Sequence, residues 1–307
     1  MIIDPVTLIV ALITVATPVL LAAIGELVVE KSGVLNLGVE GMMIMGAVCG
    51  FITAHQTGSV ALAFAAGMAG AMALSLVFAV LTQVLMANQV ASGLALTLFG
   101  LGLAALLGEG YSGLPVPAVT RPFPEGMQAI PVLGPILFSH SVLVYVAIAL
   151  VGAVWFVLAR TRTGLVIRAV GENHDAAHAL GYKVVRIRFA TILFGGACAG
   201  LGGAFLSVVR VQNWFDGMTA GAGWIALALV VFASWKAGRV LLGAWLFGGI
   251  AALQLRLQAA EVGVPVALLD ASPYLVTIIV LVIISSDRRR AALNAPAALG
   301  RAFHAAS

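Results

Sequence analysis

The segment Gly25 to Ser32, with the sequence GELVVEKS, has almost the spacing of a phosphate-binding loop, GxxxxGK[ST]. That loop needs a glycine directly before the lysine, because its backbone N–H groups must approach the phosphates closely. Glu30 stands at this position, and its carboxylate would crowd the loop and repel phosphate. We therefore predict no ATP site here, so that any ATP-driven process must use a separate protein chain.

A second candidate for chemistry is the pair His174 and His178, four residues apart in the segment HDAAH. On a helix this spacing could hold a zinc ion. The helical metalloprotease pattern requires glutamate after the first histidine, however, and Asp175 stands there. The sequence shows no third ligand. We predict exposed histidines on a polar helix, with no metal and no cofactor.

Single polar residues also occur in or beside long apolar runs. An ionisable group at membrane depth is costly and usually faces a cavity or a partner, although Glu40 could instead lie solvated at the interface. The other polar groups could hydrogen-bond a polar solute or simply join helices. They are Asn36, Asn88, Gln89 and Thr97.

The elements that must position these residues are helices in a membrane. The chain is 62% hydrophobic and only 9% charged, whereas soluble domains contain about 25% charged residues. The apolar runs are continuous, which favours helices over a barrel. We predict an all-α integral membrane protein, a polytopic bundle of about nine transmembrane helices (eight to ten) in one domain, 1–307. The predicted spans are 6–28, 36–54, 59–84, 89–108, 141–159, 187–209, 219–235, 240–257 and 272–286.

The basic residues predict the orientation of the bundle. Arg288, Arg289 and Arg290 follow the last apolar run directly, which places the tail 287–307 in the cytoplasm. Counting back through nine spans puts residues 160–186 inside as well. Of the 16 Lys and Arg residues, only Arg121, Arg210 and Arg256 then lie outside. The net charge of +4 is therefore explained by topology, and we predict no nucleic acid partner.

A charged island runs from Arg160 to Arg188 and holds six of those 16 basic residues. Its centre, GENHDAAHALG, predicts a short polar helix between two spans. Glu172 favours the helix start, where the dipole is positive, and Gly181 is a natural C-terminal cap. The alanines between them present a small surface that can sit in a groove on a partner protein.

Several segments together resemble the permease subunits of bacterial ABC importers for nucleosides and simple sugars. This broad family includes the ribose and branched-chain amino acid permeases. The similarity is carried by KSGVLNLGVEGMMIMGA (31–47), NQVASGLALTLFGLGL (88–103), residues 160–205 with RAVGEN and ALG, and GMTAGAGWIALALVVFASW (217–235). The segments GMTAGAGWIALALV and ALQLRLQ are similar to the nucleoside branch, which is served by a lipoprotein of the basic membrane protein type.

The resemblance implies a role for each part of the chain. The cytoplasmic coupling loop and helix, 160–186, would contact an ABC ATPase through Gly171, Glu172, Asn173, Ala176, Ala177, Leu180 and Gly181. The translocation path would lie near Asn36, Glu40, Asn88, Gln89, Thr97 and Trp224. The implied partners are the ATPase, a second homologous permease in a heterodimer, the binding lipoprotein and membrane lipid, at the bacterial inner membrane. Thr97 stands where many relatives have asparagine, which leaves the solute open.

Two other functions are weighed against this one. A secondary transporter driven by protons or sodium would need ionisable residues within its spans, and only Glu40 and Glu26 are candidates. A membrane-embedded hydrolase would need a nucleophile with a base, or metal ligands, at membrane depth. His55 and His140 lie at span ends, so the sequence favours a transport subunit that performs no bond chemistry.

Overall fold

The computed structural model describes residues 4–260, 264–285 and 294–304. Within these residues the chain is helical and contains no strand. The helices are α1 (Pro5–Lys31), α2 (Val39–Thr57), α3 (Val60–Gln83), α4 (Gln89–Gly108), α5 (Glu125–Gln128), α6 (Leu133–Phe138), α7 (Val142–Arg160), α8 (Arg162–Glu172), α9 (His174–Ala179), α10 (Val184–Ala204), α11 (Ala222–Phe232), α12 (Ala237–Ala259) and α13 (Val266–Ser285). A π-helical turn, Phe205–Arg210, continues α10.

Six helices of the described residues are long and apolar enough to cross a membrane: α1, α3, α4, α7, α12, and α10 with its π-helical turn. The predicted all-helical membrane fold is confirmed for this part of the chain, but the predicted number of nine spans is not. The helix α11 has 11 residues and is therefore roughly 16 Å long, about half the thickness of a hydrocarbon core. It cannot cross a membrane alone, because the preceding residues, 211–221, are not helical.

Short polar residues fix where several helices begin. The Asp4 carboxylate accepts hydrogen bonds from the backbone N–H groups of Val6 and Thr7, and a proline follows at the first helical position. Asn88 caps α4, and Ser59 caps α3 in the same way. Such caps satisfy N–H groups that have no partner within the helix, which matters most near lipid.

The centre of the bundle is α10, which packs against α1, α2 and α3. Glycines allow these helices to approach closely, as expected for helix contacts in membranes. Gly200 faces both Gly46 of α2 and Gly67 of α3, so backbone meets backbone there. Around this centre, α4 lies against α2, while α7 and α12 lie against α1.

The C-terminal segment 294–304 lies against the end of the bundle that carries α8 and α9. The amide of Ala298 donates to the Gly171 carbonyl at 2.9 Å, and the amide of Gly300 donates to the Gly33 carbonyl at 3.1 Å. These contacts agree with the prediction that the tail and residues 160–186 share one side of the membrane. Arg288, Arg289 and Arg290, on which the predicted orientation was based, lie outside the described residues.

Candidate functional site

The charged island forms two helices rather than one. The first, α8, ends at Glu172, and the second, α9, begins after Asn173, whose side chain accepts from the Ala176 amide at 2.9 Å. The prediction that Glu172 starts the polar helix is therefore wrong, because asparagine is the better cap and takes that position. Gly181 follows α9 with φ of 89°, a left-handed conformation that favours glycine at a helix end.

The helix α9 has one buried face and one exposed face. Its exposed side carries Asn173 and Ala176, and just beyond it the Leu180 side chain is 78% exposed. Ala177, by contrast, is buried against Val170 and Val184. Leu180 is thus available for contact with another molecule, whereas Ala177 holds the helix against the bundle.

The residues of the predicted coupling set fall on both sides of this element. Glu172, Asn173, Ala176, Leu180 and Gly181 are exposed and available to a partner. Gly171 and Ala177 are buried and hold the element in place. Gly171 lies so close to the Lys31 carbonyl that a methyl group there would overlap the oxygen. The structure thus brings all seven residues together but gives two of them an internal position.

The buried face of α9 rests on the C-terminal segment. The ring of Phe303 packs edge-on against His174 and His178, with centroid distances of 5.4 and 5.2 Å. Phe303 is itself buried and joins Ala177 in a small apolar cluster. Both histidines therefore contact the tail through Phe303. The prediction that both are exposed is confirmed for His178 and wrong for His174, which is buried because it packs between Phe303 and Arg188.

Arg188 links the elements beneath α9. Its side chain is completely buried at the start of α10. The guanidinium donates to the Ser32 carbonyl at 3.2 Å, to the Arg301 carbonyl at 3.0 Å and to Nδ1 of His174 at 3.2 Å. It also approaches the Gln83 side-chain oxygen at 3.5 Å. One side chain thus connects the α1–α2 turn, the tail and α9.

Acidification should weaken this assembly through His174. Burial, and then the positive charge of Arg188, lower the pKa of His174 below its usual 6.5. Since the folded state binds fewer protons there than the unfolded state, the stability that His174 contributes is complete above the unfolded pKa. It is lost as the pH falls through the lowered pKa of the folded state. We expect the melting temperature of the purified protein to fall between pH about 7.5 and about 5.

The matched variant for this test is His174→Asn, whose amide oxygen can accept from Arg188 but does not titrate. Its melting temperature should fall less over the same pH range. An equal fall in both proteins would show that His174 is not responsible.

Three of the predicted path residues surround the turn between α1 and α2. The Gln89 side-chain oxygen accepts from the Leu35 amide at 2.8 Å, and the Thr97 hydroxyl donates to the Leu37 carbonyl at 3.0 Å. The buried Asn36 accepts from the amide two residues further along, at 3.0 Å. These bonds join the turn to α4, so the structure gives each residue a positioning contact.

The other predicted path residues lie apart from that turn. Asn88 caps α4 by accepting from the Ala91 amide at 3.0 Å. Trp224 lies on α11 and is 47% exposed. Their place on a translocation path stays a prediction.

Glu40 anchors the beginning of α11. Its carboxylate is buried and accepts from the Thr219 hydroxyl at 2.6 Å, the Gly221 amide at 2.9 Å and the Gly223 amide at 2.7 Å. Three donors compensate the loss of water around the carboxylate. Two of them are backbone groups at the helix N-terminus, where negative charge is favourable. The sequence left open whether Glu40 faces a partner or lies solvated at the interface, and the structure shows it buried against the beginning of α11.

Sequence reasoning missed two parts of this site, the buried Arg188 and the docked segment 294–304. Counting charges by side of the membrane treats every flanking arginine as solvated, so Arg188 looked like a topology signal. The apolar residues in the segment AALGRAF were the available signal for the tail.

Comparison with known proteins identifies the family of the chain. Residues 8–285 match the family described as the branched-chain amino acid transport system permease component. The chain is similar to a putative glucose ABC transporter permease of Haloferax volcanii, with 41% identity over 96% of each chain. It is also similar to a nucleoside ABC transporter permease of Lactococcus lactis, with 32% identity over 87% of this chain and 88% of the relative. A guanosine ABC transporter permease of Bacillus subtilis is 35% identical over 63% of this chain and 64% of the relative. No solved structure gives a significant match.

The match covers nearly all of the predicted membrane region, and two of these relatives align over most of their own length. The relatives are transport subunits rather than enzymes, as the resemblance implied. The family works with a separate ATPase and a binding protein. The chain belongs to the branched-chain amino acid transport system permease family and is a multi-pass membrane permease subunit of an ABC transporter.

Proposed function

We propose that this chain carries a nucleoside or a related simple sugar inward across the bacterial inner membrane. The relatives named for guanosine, nucleosides and glucose support this solute class. The observation that carries the importer mechanism is the α8–α9 element, which presents an exposed leucine outward and is fixed from beneath by the tail.

In this proposal the segment 160–186 is the cytoplasmic coupling element. Glu172, Asn173, Ala176 and Leu180 meet a groove on the ATPase, while Gly171 and Ala177 keep α9 against the bundle. The tail 287–307 lies on the same cytoplasmic side. When ATP binding closes the ATPase domains, the coupling elements follow and the path switches between inward-facing and outward-facing states.

The proposed assembly contains two permeases and two ATPase domains. This chain pairs with a longer homologous permease, and a binding lipoprotein of the basic membrane protein type delivers the solute. The path passes beside the α1–α2 turn and the helices α2, α4 and α11. The residues proposed to lie beside it are Asn36, Glu40, Asn88, Gln89, Thr97 and Trp224.

Leu180→Asp should separate the permease from its ATPase. Removing a central apolar anchor from a protein interface typically costs about 2 kcal/mol or more, which weakens binding roughly 30-fold. Because Leu180 is 78% exposed, the change should leave insertion and folding intact. The measurement is co-purification of the ATPase in mild detergent, together with ATP-dependent uptake in proteoliposomes.

Leu180→Met is the matched control, since it keeps an apolar side chain of similar volume, and it should retain both ATPase binding and uptake. Normal ATPase binding by Leu180→Asp would contradict the coupling role of α9. A chain that purifies alone and moves solute without ATP would instead favour the secondary transporter.

A further inference from the structure

A cavity of about 370 Å³ lies between α1, the π-helical turn, and the helices α11, α12 and α13. This volume is within the usual range for pockets that bind small molecules. The cavity is at the end of α10 opposite to the coupling element, because α10 with its π-helical turn runs 27 residues, roughly 40 Å, from Val184 to Arg210. It therefore faces the side from which a binding protein would deliver a solute.

The backbone beside this cavity is irregular and strained. Helix gives way to a π-helical turn at Phe205–Arg210 and then to non-helical chain up to Gly221. Gln212 and Ala220 have positive φ angles of 54° and 46°, which non-glycine residues rarely adopt. Non-helical backbone at membrane depth is tolerated where it lines a cavity, and strain of this kind clusters at functional sites.

The cavity wall includes a cation. Arg210 lines it and has an exposed side chain, and within the described residues its guanidinium forms no hydrogen bond or ion pair. A guanidinium carries five N–H donors and no acceptor, so it suits a ligand with oxygen acceptors. Thr219 lines the same space and adds a hydroxyl oxygen.

The cavity wall also includes aromatic rings. The rings of Phe247 and Tyr274 lie edge to face with centroids 6.4 Å apart, and both line the cavity. Such rings pack against a nucleobase, or against the apolar face of a sugar. The lining therefore offers rings for a flat apolar surface and a guanidinium for oxygen acceptors.

The ligand class follows from the proposed function. The solutes in the names of the relatives, guanosine, nucleosides and glucose, carry no net charge. Glu40 does not line the cavity, but Thr219, which does, donates a hydrogen bond to it.

We infer that this cavity within a single permease subunit is a solute-binding site, and that it takes an uncharged ring compound with several oxygen acceptors. Arg210 binds the acceptors, and Phe247 and Tyr274 pack against the ring. The inference rests on the proposed import function and adds the position and chemistry of the site. Sugars and nucleosides share this chemistry, and uptake measurements distinguish them.

The first test fills the cavity in the complete transporter, reconstituted with its ATPase, partner permease and binding protein. Ala251 is half-buried in the wall on α12, and Ala251→Trp should lower the uptake of guanosine or glucose about tenfold or more. ATP hydrolysis and co-purification of the subunits should be retained. The control Leu253→Trp, on the other face of α12, should transport normally.

The second test removes the cation. Arg210→Gln should raise the KM for the transported solute about tenfold, and Arg210→Lys should restore part of the loss. Guanosine and glucose are compared as substrates, and guanosine monophosphate serves as a charged competitor. The solute whose KM shifts identifies the class, whereas strong competition by the monophosphate would overturn the assignment of an uncharged ligand.

The outcomes separate this inference from the function on which it rests. If the unmodified complex takes up neither solute with ATP, both the proposed function and this site are wrong. If it transports normally while Ala251→Trp and Arg210→Gln leave uptake and KM unchanged, only the cavity assignment is overturned.

Discussion

Gly203→Val should greatly reduce the amount of correctly folded permease in the membrane. Gly203 lies on α10 against α2, where an added methyl group would overlap the Met43 carbonyl oxygen and come within 2.8 Å of the Ala47 amide nitrogen. These are backbone atoms, so a rotamer change cannot relieve the clash. Overpacking costs about 1–3 kcal/mol where side chains can move, and we expect a larger loss here.

The measurement is the yield of monodisperse protein after extraction in mild detergent. Gly152→Val is the matched control: Gly152 is also in the middle of a membrane helix, α7, but its Cα is exposed and an added methyl group would meet nothing within 4 Å. Both variants have the same helix propensity cost, so only packing differs. Equal yields would show that the close approach of α2 and α10 is not required for folding.

The helices were predictable because continuous apolar runs have few alternatives in a membrane. Each predicted span overlaps a helix of the structure. The apolar runs could not show which helices cross the membrane. The run 219–235 is apolar, but only 11 of its residues form α11, because the chain bonded to Glu40 before Ala222 and the chain after Phe232 are not helical.

The site was less predictable because its contacts join residues far apart in sequence. Glu40 meets Thr219 across 179 positions, and Arg188 meets the Arg301 carbonyl across 113. No local pattern encodes such a pair. The helix α9, by contrast, is local: a cap at Asn173 and a left-handed glycine at 181 are signals within nine residues, and only the choice of cap was wrong.

Arg188→Met should release the C-terminal segment and loosen α9. Methionine fills similar space but donates nothing, so the carbonyls of Ser32 and Arg301 and the Nδ1 atom of His174 would lose a donor. A buried acceptor left without a partner costs about 1–3 kcal/mol. The loss should be concentrated where these groups lie, because the apolar contacts of α10 remain.

Hydrogen exchange of the Ala298 and Gly300 amides measures this release directly. Both are bonded to carbonyls of the bundle in the native protein, and both should exchange at least tenfold faster in Arg188→Met, whereas amides in the middle of α10 should not change. Arg186→Met is the control, since Arg186 is exposed on the same helix and carries the same charge.

Arg188→Met also tests whether docking of the C-terminal segment is needed for transport. If Arg188 holds α9 in position for the ATPase, Arg188→Met should reduce ATP-dependent uptake while the ATPase still hydrolyses ATP, and Arg188→Lys should recover little because one ammonium cannot reach all of these acceptors. Fast exchange at Ala298 with unchanged uptake would show that the tail is dispensable for coupling. Unchanged exchange would show that Phe303, packed between the two histidines, is sufficient to hold the tail without the arginine.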